Sequence, residues 1–393
     1  MVRKKVFVVV GLGYGDEGKG LSTDYLCKKN PDSIVIRYNG GHQAGHSVVM
    51  RDGRRHVFSN FGSGTYRNIP TYWSSFCTFY PSSFLEELSL LNTTPIMYVD
   101  LNCPVTTHYD VLFNRALEAS RGEKRYGSCG IGYGATIDRS KNSDLLLRFE
   151  DLLNERKTYN KLLKIKTYYR QKINIETFYD FDSFINEEED NLYFNSIKET
   201  IRKISDGIIR PICEENIFSQ KSWETYIFEG AQGILLDQNY GNKPYITKSN
   251  TTSQNALCLL DRYNNILFEK SIYYVTRSYL TRHGEGPFKE DRYNFKLYNN
   301  TDETNIDNQY QGKFKTNYLE LKLLNYALKT DAIFSKGIEK NLIITCLDHL
   351  ESQYIYFFNN ALLSKDRYTD FYKRLICHFK EIKYSFNPCA DFL

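Results

Sequence analysis

The stretch KKVFVVVGLGYGDEGKG, residues 4–20, constrains the fold more than any other. Its apolar run, residues 5–10, shows no alternation, so both faces of that strand are buried, as in a parallel sheet covered by helices. Glycines follow at 11, 13, 15, 18 and 20. A strand that enters such a loop and leaves it as a helix places backbone N–H groups at a helix N-terminus, where they can cradle phosphate. The phosphate-loop pattern G-x-x-x-x-G-K-[ST] is met at Gly13, Gly18 and Lys19. It fails at Gly20, where a hydroxyl should hold Mg²⁺, and the loop carries two carboxylates, Asp16 and Glu17. Asp16 can replace the hydroxyl as a metal ligand, or act as general base on a second substrate beside the phosphates.

Further short apolar runs at 33–38, 96–100, 225–229, 272–276 and 341–347 alternate with helical patterns, as at 18–29 and 109–121. This implies an α/β fold with a large, mostly parallel central sheet and flanking helices. Residues 1–393 are expected to form a single domain, with 141–224 a mostly helical, polar insertion that includes the acidic run 187–190. No apolar run reaches 18 residues, so no membrane span is expected. The N-terminus lacks the pattern of a signal peptide. Nine cysteines without a C-x-x-C pair suit a reducing, cytoplasmic setting. The net charge of +4 is not gathered into one stretch, so no direct nucleic-acid binding is expected.

Six more clusters follow, in the loops after strands where α/β proteins place their sites. In NGGHQAGH, residues 39–46, glycines let the backbone approach a ligand, and His42 can serve as acid or electrophile; His46 reads as a satisfied core histidine. GSCGIGYGAT, residues 127–136, offers backbone donors with Arg139 close behind. In FEGAQG, residues 228–233, Gln232 can donate and accept, which suits a purine edge. PYITKSNTT, residues 244–252, and LTRHGEGPF, residues 280–288, add hydroxyls and cations. ITCLDHL, residues 344–350, ends a strand in Asp348, a carboxylate suited to the N1 and N2 donors of guanine.

In this order the pieces resemble the adenylosuccinate synthetase family, over residues 6–288 with a weaker trail to the C-terminus. The resemblance implies a usually dimeric enzyme that couples GTP to the joining of a purine 6-oxo nucleotide with L-aspartate. It implies Asp16, His42, Lys19 and Gln232 as catalytic residues, with Mg²⁺ on Asp16 and the Gly41 carbonyl. The triphosphate would lie on Gly15, Glu17, Gly18, Lys19, Gly20 and Asp348. The purine monophosphate would meet Asn39, Ser128, Cys129, Arg139 (across a homodimer interface), Gln232, Thr247 and His283. L-aspartate would meet Arg282, Lys313, Lys315 and Thr316. Lys313 and Lys315 stand where the family has arginines, and Cys346 where it has lysine before x-Asp. Residues 60–88 look like the short archaeal and phage branch, some of whose members take dGMP. IMP and (d)GMP therefore both stand as acceptors, and GTP and ATP as donors. A nucleotide-binding sensor without ligase activity is the reading of another class.

Overall fold

The computed structural model describes residues 3–183, 185–219, 223–289, 293–299 and 312–393. Nine strands form one sheet: β1 (Arg3–Gly11), β2 (Ser33–Arg37), β3 (Thr71–Trp73), β4 (Met97–Asp100), β5 (Ile209–Ile212), β6 (Thr225–Gly233), β7 (Leu267–Arg277), β8 (Glu339–Thr345) and β9 (Glu381–Tyr384). Their order is β9-β8-β7-β1-β6-β2-β3-β4-β5, and every neighbouring pair is parallel. The sheet is thus wholly parallel, which requires crossovers and covers both faces. Val6, Val8, Val9 and Val10 of β1 are buried together with Ile227 and Phe228 of β6 and Tyr274 and Val275 of β7.

β1 lies between β6 and β7, with Val9 opposite Glu229 and Tyr273. The loops that leave these strands at Gly11, Gly233 and Arg277 therefore emerge side by side at one end of the sheet. Helix α1 (Lys19–Lys29) starts from the first of them. Helices α2 (Pro81–Leu90), α3 (His108–Arg121) and α4 (Tyr133–Ser140) follow, then a one-turn α5 (Phe149–Leu152) and the long α6 (Glu155–Glu176) and α7 (Glu187–Ser205).

Residues 141–224 are not purely helical. Within them β5 adds itself to the edge of the sheet, beside β4. The helices also build core: α6 buries Thr158, Leu162, Ile165, Tyr169 and Ile173, a helical stripe, against Phe113 and Tyr193 in one apolar cluster with Ile209 of β5. The edge strand is IRPI. Met97 N–H donates to the Ile208 carbonyl and Leu101 N–H to that of Ile212, so even-numbered residues face the ladder and Pro211 points its nitrogen to the open edge.

Candidate active site

α1 begins at Lys19 behind Gly18, whose φ of +94° is left-handed and whose added Cβ would meet Thr345 at 2.8 Å. Inside the loop, Glu17 turns inward. Its carboxylate accepts from Gly13 N–H at 3.0 Å, Gly15 N–H at 2.8 Å and the Lys19 ammonium. Both side chains of this pair are almost fully buried. The donors that a phosphate would use are therefore held by an internal anion. An anion bound to those donors would have to displace the Glu17 carboxylate, because like charges cannot share them. The second loop strand packs on the first so closely that a Cβ on Gly233 would lie 2.2 Å from the Gly13 carbonyl.

Asp16 turns the other way, from a left-handed φ of 60° that is uncommon outside glycine. Its Oδ2 lies 2.9 Å from Nε2 of His283, and about a third of its side chain is exposed. Its own carbonyl accepts from Arg277 Nε. Burial pushes the carboxyl up, but the hydrogen bond from His283, with His283, Arg277 and Lys19 as nearby charges, outweighs this and holds it at about 2. Gln232, also left-handed at φ 62°, sets its Oε1 against Gly15. Asp16, Lys19, Gln232 and His283 are thus brought together.

His42 is buried, and neither ring nitrogen has a hydrogen-bond partner. Burial depresses its pKa to about 4, so the ring is neutral at pH 7. In this arrangement it can polarise an oxygen as a hydrogen-bond donor, as an electrophile does, more readily than it can give up a proton. Its ring packs on Tyr80 at 4.9 Å, and it lines a cavity of about 760 Å³ with Tyr80, His108, Arg115 and Tyr193. His46 is a core residue, its Nδ1 2.7 Å from Glu229.

Three expected contacts are committed elsewhere. Arg139 was expected to reach a nucleotide phosphate across a dimer interface. It is 1% exposed and ties Nε to Asp110 at 2.9 Å, Nη2 to the Val105 carbonyl at 2.8 Å, and Nη1 to the Leu145 carbonyl. Every part of the fork is used within its own chain. Asn39 donates to the carbonyls of Ala231 (3.0 Å) and Asn250 (2.9 Å) and accepts from Ala231 N–H (2.7 Å), so its side chain stitches three loops together and both hydrogens of its amide are used within the chain. Arg282 donates to the carbonyls of Glu285, Pro287 and Tyr245 and lies over the Tyr14 ring at 4.3 Å. Through these bonds it shapes the 280–288 turn.

Ser128 accepts from Asn114 at 2.6 Å beside a half-buried Cys129, and Thr247 is half-buried on its own loop. Lys313 is exposed; Lys315 and Thr316 lie on the strand Phe314–Asn317, paired with Arg282 and Thr281 of the strand Leu280–His283. Gln311, at the head of that stretch, lies outside the described residues. Lys315 sits 3.6 Å from Glu285. Asp348 is half-buried, with an oxygen 3.8 Å from His349. Thr345, whose hydroxyl donates to the Glu17 carbonyl at 2.8 Å, and Arg277 were not singled out from sequence; each ends an apolar strand, which is the only signal they carry. A carboxylate such as Asp16 and a backbone carbonyl such as that of Gly41, which here accepts from Ala44 N–H at 3.2 Å, are oxygen donors of the kind Mg²⁺ takes when most of its shell is water and phosphate. Among the described residues no cluster of three or more His, Cys, Asp or Glu could hold a metal without such help. No described helix is long and apolar enough to cross a membrane.

The chain is similar to an adenylosuccinate synthetase from Psychromonas ingrahamii, 30% identical over 298 residues, 73% of this chain and 64% of that protein, a little under two thirds of its length. It is 28% identical over 377 residues to the one from Buchnera aphidicola, covering 93% of this chain and 83% of that protein. In three dimensions it resembles the fully ligated adenylosuccinate synthetase of Plasmodium falciparum, with a TM-score of 0.74, 19% identity and 98% of each chain covered. It also resembles the succinoaminodeoxyadenylate synthetase of cyanophage S-2L bound to dGMP and dATP, with a TM-score of 0.64, 16% identity, and 99% and 94% covered. The model of the adenylosuccinate synthetase family matches residues 8–358, and the chain belongs to that family of C–N ligases.

Proposed function

We propose that the protein joins L-aspartate to C6 of a purine nucleoside monophosphate, with IMP as acceptor and GTP as phosphoryl donor. The observation that carries this is an ionised carboxylate, Asp16, anchored by His283 in the same loop that presents Lys19 and the amides of Gly13 and Gly15. A pure nucleotide binder has no use for a base at that place.

An amide oxygen is a poor leaving group, and phosphorylation makes it a good one. Asp16 accepts the N1 proton while the 6-oxygen attacks the γ-phosphoryl group, releasing the nucleoside diphosphate. Because its carboxyl holds a proton weakly, transfer to it is favourable only as the P–O bond forms. Lys19 neutralises charge on the phosphoryl oxygens, and neutral His42 donates a hydrogen bond to one of them. The aspartate amine then attacks C6, and inorganic phosphate leaves. Mg²⁺, held by Asp16 and the Gly41 carbonyl, would supply further charge neutralisation at the triphosphate. Gln232 faces the purine, Ser128, Cys129 and Thr247 its phosphate, and Lys313, Lys315 and Thr316 the amino acid. A homodimer in the cytoplasm is part of the proposal, although Arg139 does not serve it.

A second reading, (d)GMP with ATP, is favoured by the likeness to the S-2L enzyme and by Cys346, left-handed at φ 57°, where a lysine is expected. One experiment separates them. The protein is mixed with Mg²⁺, GTP or ATP, and IMP or dGMP, with and without L-aspartate, and phosphate release is read with the product mass. Aspartate-dependent product names both nucleotides; binding without product removes the ligase and leaves a sensor.

A further inference from the structure

His283 does more than line the site. It ends the strand Leu280–His283, and its register partner is Phe314, flanked by Lys313 and Lys315. The two rings pack at 4.7 Å and 45°. On its other side Nε2 holds Oδ2 of Asp16 at 2.9 Å, while Nδ1 is buried without a partner, so the ring has one polar anchor and one apolar one. The hairpin touches the loop a second time, where the Thr281 hydroxyl donates to the Gly15 carbonyl at 3.4 Å. A left-handed Asp16 has little of its own to fix its side chain, because its neighbours are glycine and an inward-turned glutamate.

We infer that His283 is the positioning residue of Asp16, and that the hairpin carrying Phe314 reports the state of the Lys313–Thr316 segment to that carboxylate through the His283 ring. The inference rests on the proposed ligase function only in what it says of amino-acid occupancy; the Phe314–His283–Asp16 contact chain stands without it. Its chemistry is simple. Holding Oδ2 fixes the plane of the carboxylate, so that the acceptor N1 would meet the other oxygen in one direction. Movement of Phe314 when an α-amino dicarboxylate settles on Lys313 and Lys315 turns the imidazole and the carboxylate with it.

The test uses the full-length protein. His283→Ala is expected to lower kcat about 100-fold, the cost of a carboxylate misplaced by about 1 Å, with the triphosphate KM moved by less than about twofold. His283→Gln, whose amide can still donate to Oδ2, should recover most of the loss. Phe314→Ala should raise KM for L-aspartate and lower kcat together while triphosphate binding is unchanged. A contact read without turnover separates this from the ligase proposal. In protein carrying ¹⁵N-histidine, the His283 ring signal, assigned by its loss in His283→Gln, should move with Asp16→Asn. It should also move on adding L-aspartate, but not in Phe314→Ala. Turnover of His283→Ala within about twofold of the parent, or a ring signal indifferent to Asp16→Asn, overturns the inference. A parent protein without turnover, whose His283 signal still follows Asp16 and Phe314, overturns only the ligase reading.

Discussion

Two buried ion pairs in this molecule look alike and behave differently. Glu17–Lys19 sits in the loop after β1, and Asp110–Arg139 sits where α3 and α4 meet; all four side chains are nearly inaccessible. Around Arg139 the remaining donors end on backbone carbonyls of the same chain, which nothing else can replace. Around Glu17 the remaining donors are two glycine amides, which, with Lys19, are of the kind a compact anion could take over. One pair is a rivet, the other a placeholder. Burial and pairing alone do not separate structure from function; what separates them is whether one partner can be exchanged for a ligand.

The contrast can be broken in several ways. The largest effect is chemical: Asp16→Ala should lower aspartate-dependent phosphate release by about 10³-fold, with nucleotide binding retained when measured by calorimetry. Undiminished turnover would end the assignment of the base. Next, Arg139→Met and Glu17→Gln should each cost about 3–5 kcal/mol, because each leaves a buried charge unpaired. Denaturant midpoints measured with saturating Mg-triphosphate should recover in Glu17→Gln, where the phosphate supplies the missing anion, and stay low in Arg139→Met beyond the ordinary ligand gain of the parent. Equal recovery in both would erase the distinction.

A third buried carboxylate sharpens the pH side. Burial pushes Glu229 up, but His46, Arg37 and Ser63 more than offset it and hold it at about 2. A folded-state value below the unfolded one stabilises the protein at neutral pH. That stability is lost as pH falls from the ordinary carboxylate range through about 2. Acid unfolding of Glu229→Gln should lack this component. The smallest effect is expected at Lys248 and Asp138, a half-exposed pair, where Lys248→Gln should change stability by less than about 1 kcal/mol.

How much of this is visible in the chain depends on the range of the interaction. β1, its loop and α1 are local in sequence, and the valine run, the glycines and Lys19 announce them. Six of the nine strands were legible from their apolar runs, but β3, β5 and β9 were not: each is only three or four residues long, and β5 carries an internal proline. Asp16 and Lys19 stand out as candidates from the loop alone. The internal partners of Arg139, Asn39 and Arg282 were not legible, because an arginine or asparagine near a glycine-rich loop looks the same whether its partners are ligand oxygens or carbonyls brought in by folding. Glu17 was legible as an anomaly, a carboxylate in a phosphate loop, though not as the group that fills the cradle. The Asp16–His283 contact joins the loop after β1 to the distant strand Leu280–His283, and the adjacency of β1 and β7 brings them within reach.

The outward-pointing nitrogen of Pro211 has a consequence for the protein in a crowded solution. A wholly parallel nine-stranded sheet forms from contacts distant in sequence, and such sheets assemble slowly, leaving open borders to meet other chains. At the β5 border one of the two outward-facing positions, Pro211, offers no amide, and Arg210 beside it is exposed. Strand addition from another copy would lack a bond there and bring two arginines together, so this margin of the sheet is poorly suited to templating aggregation.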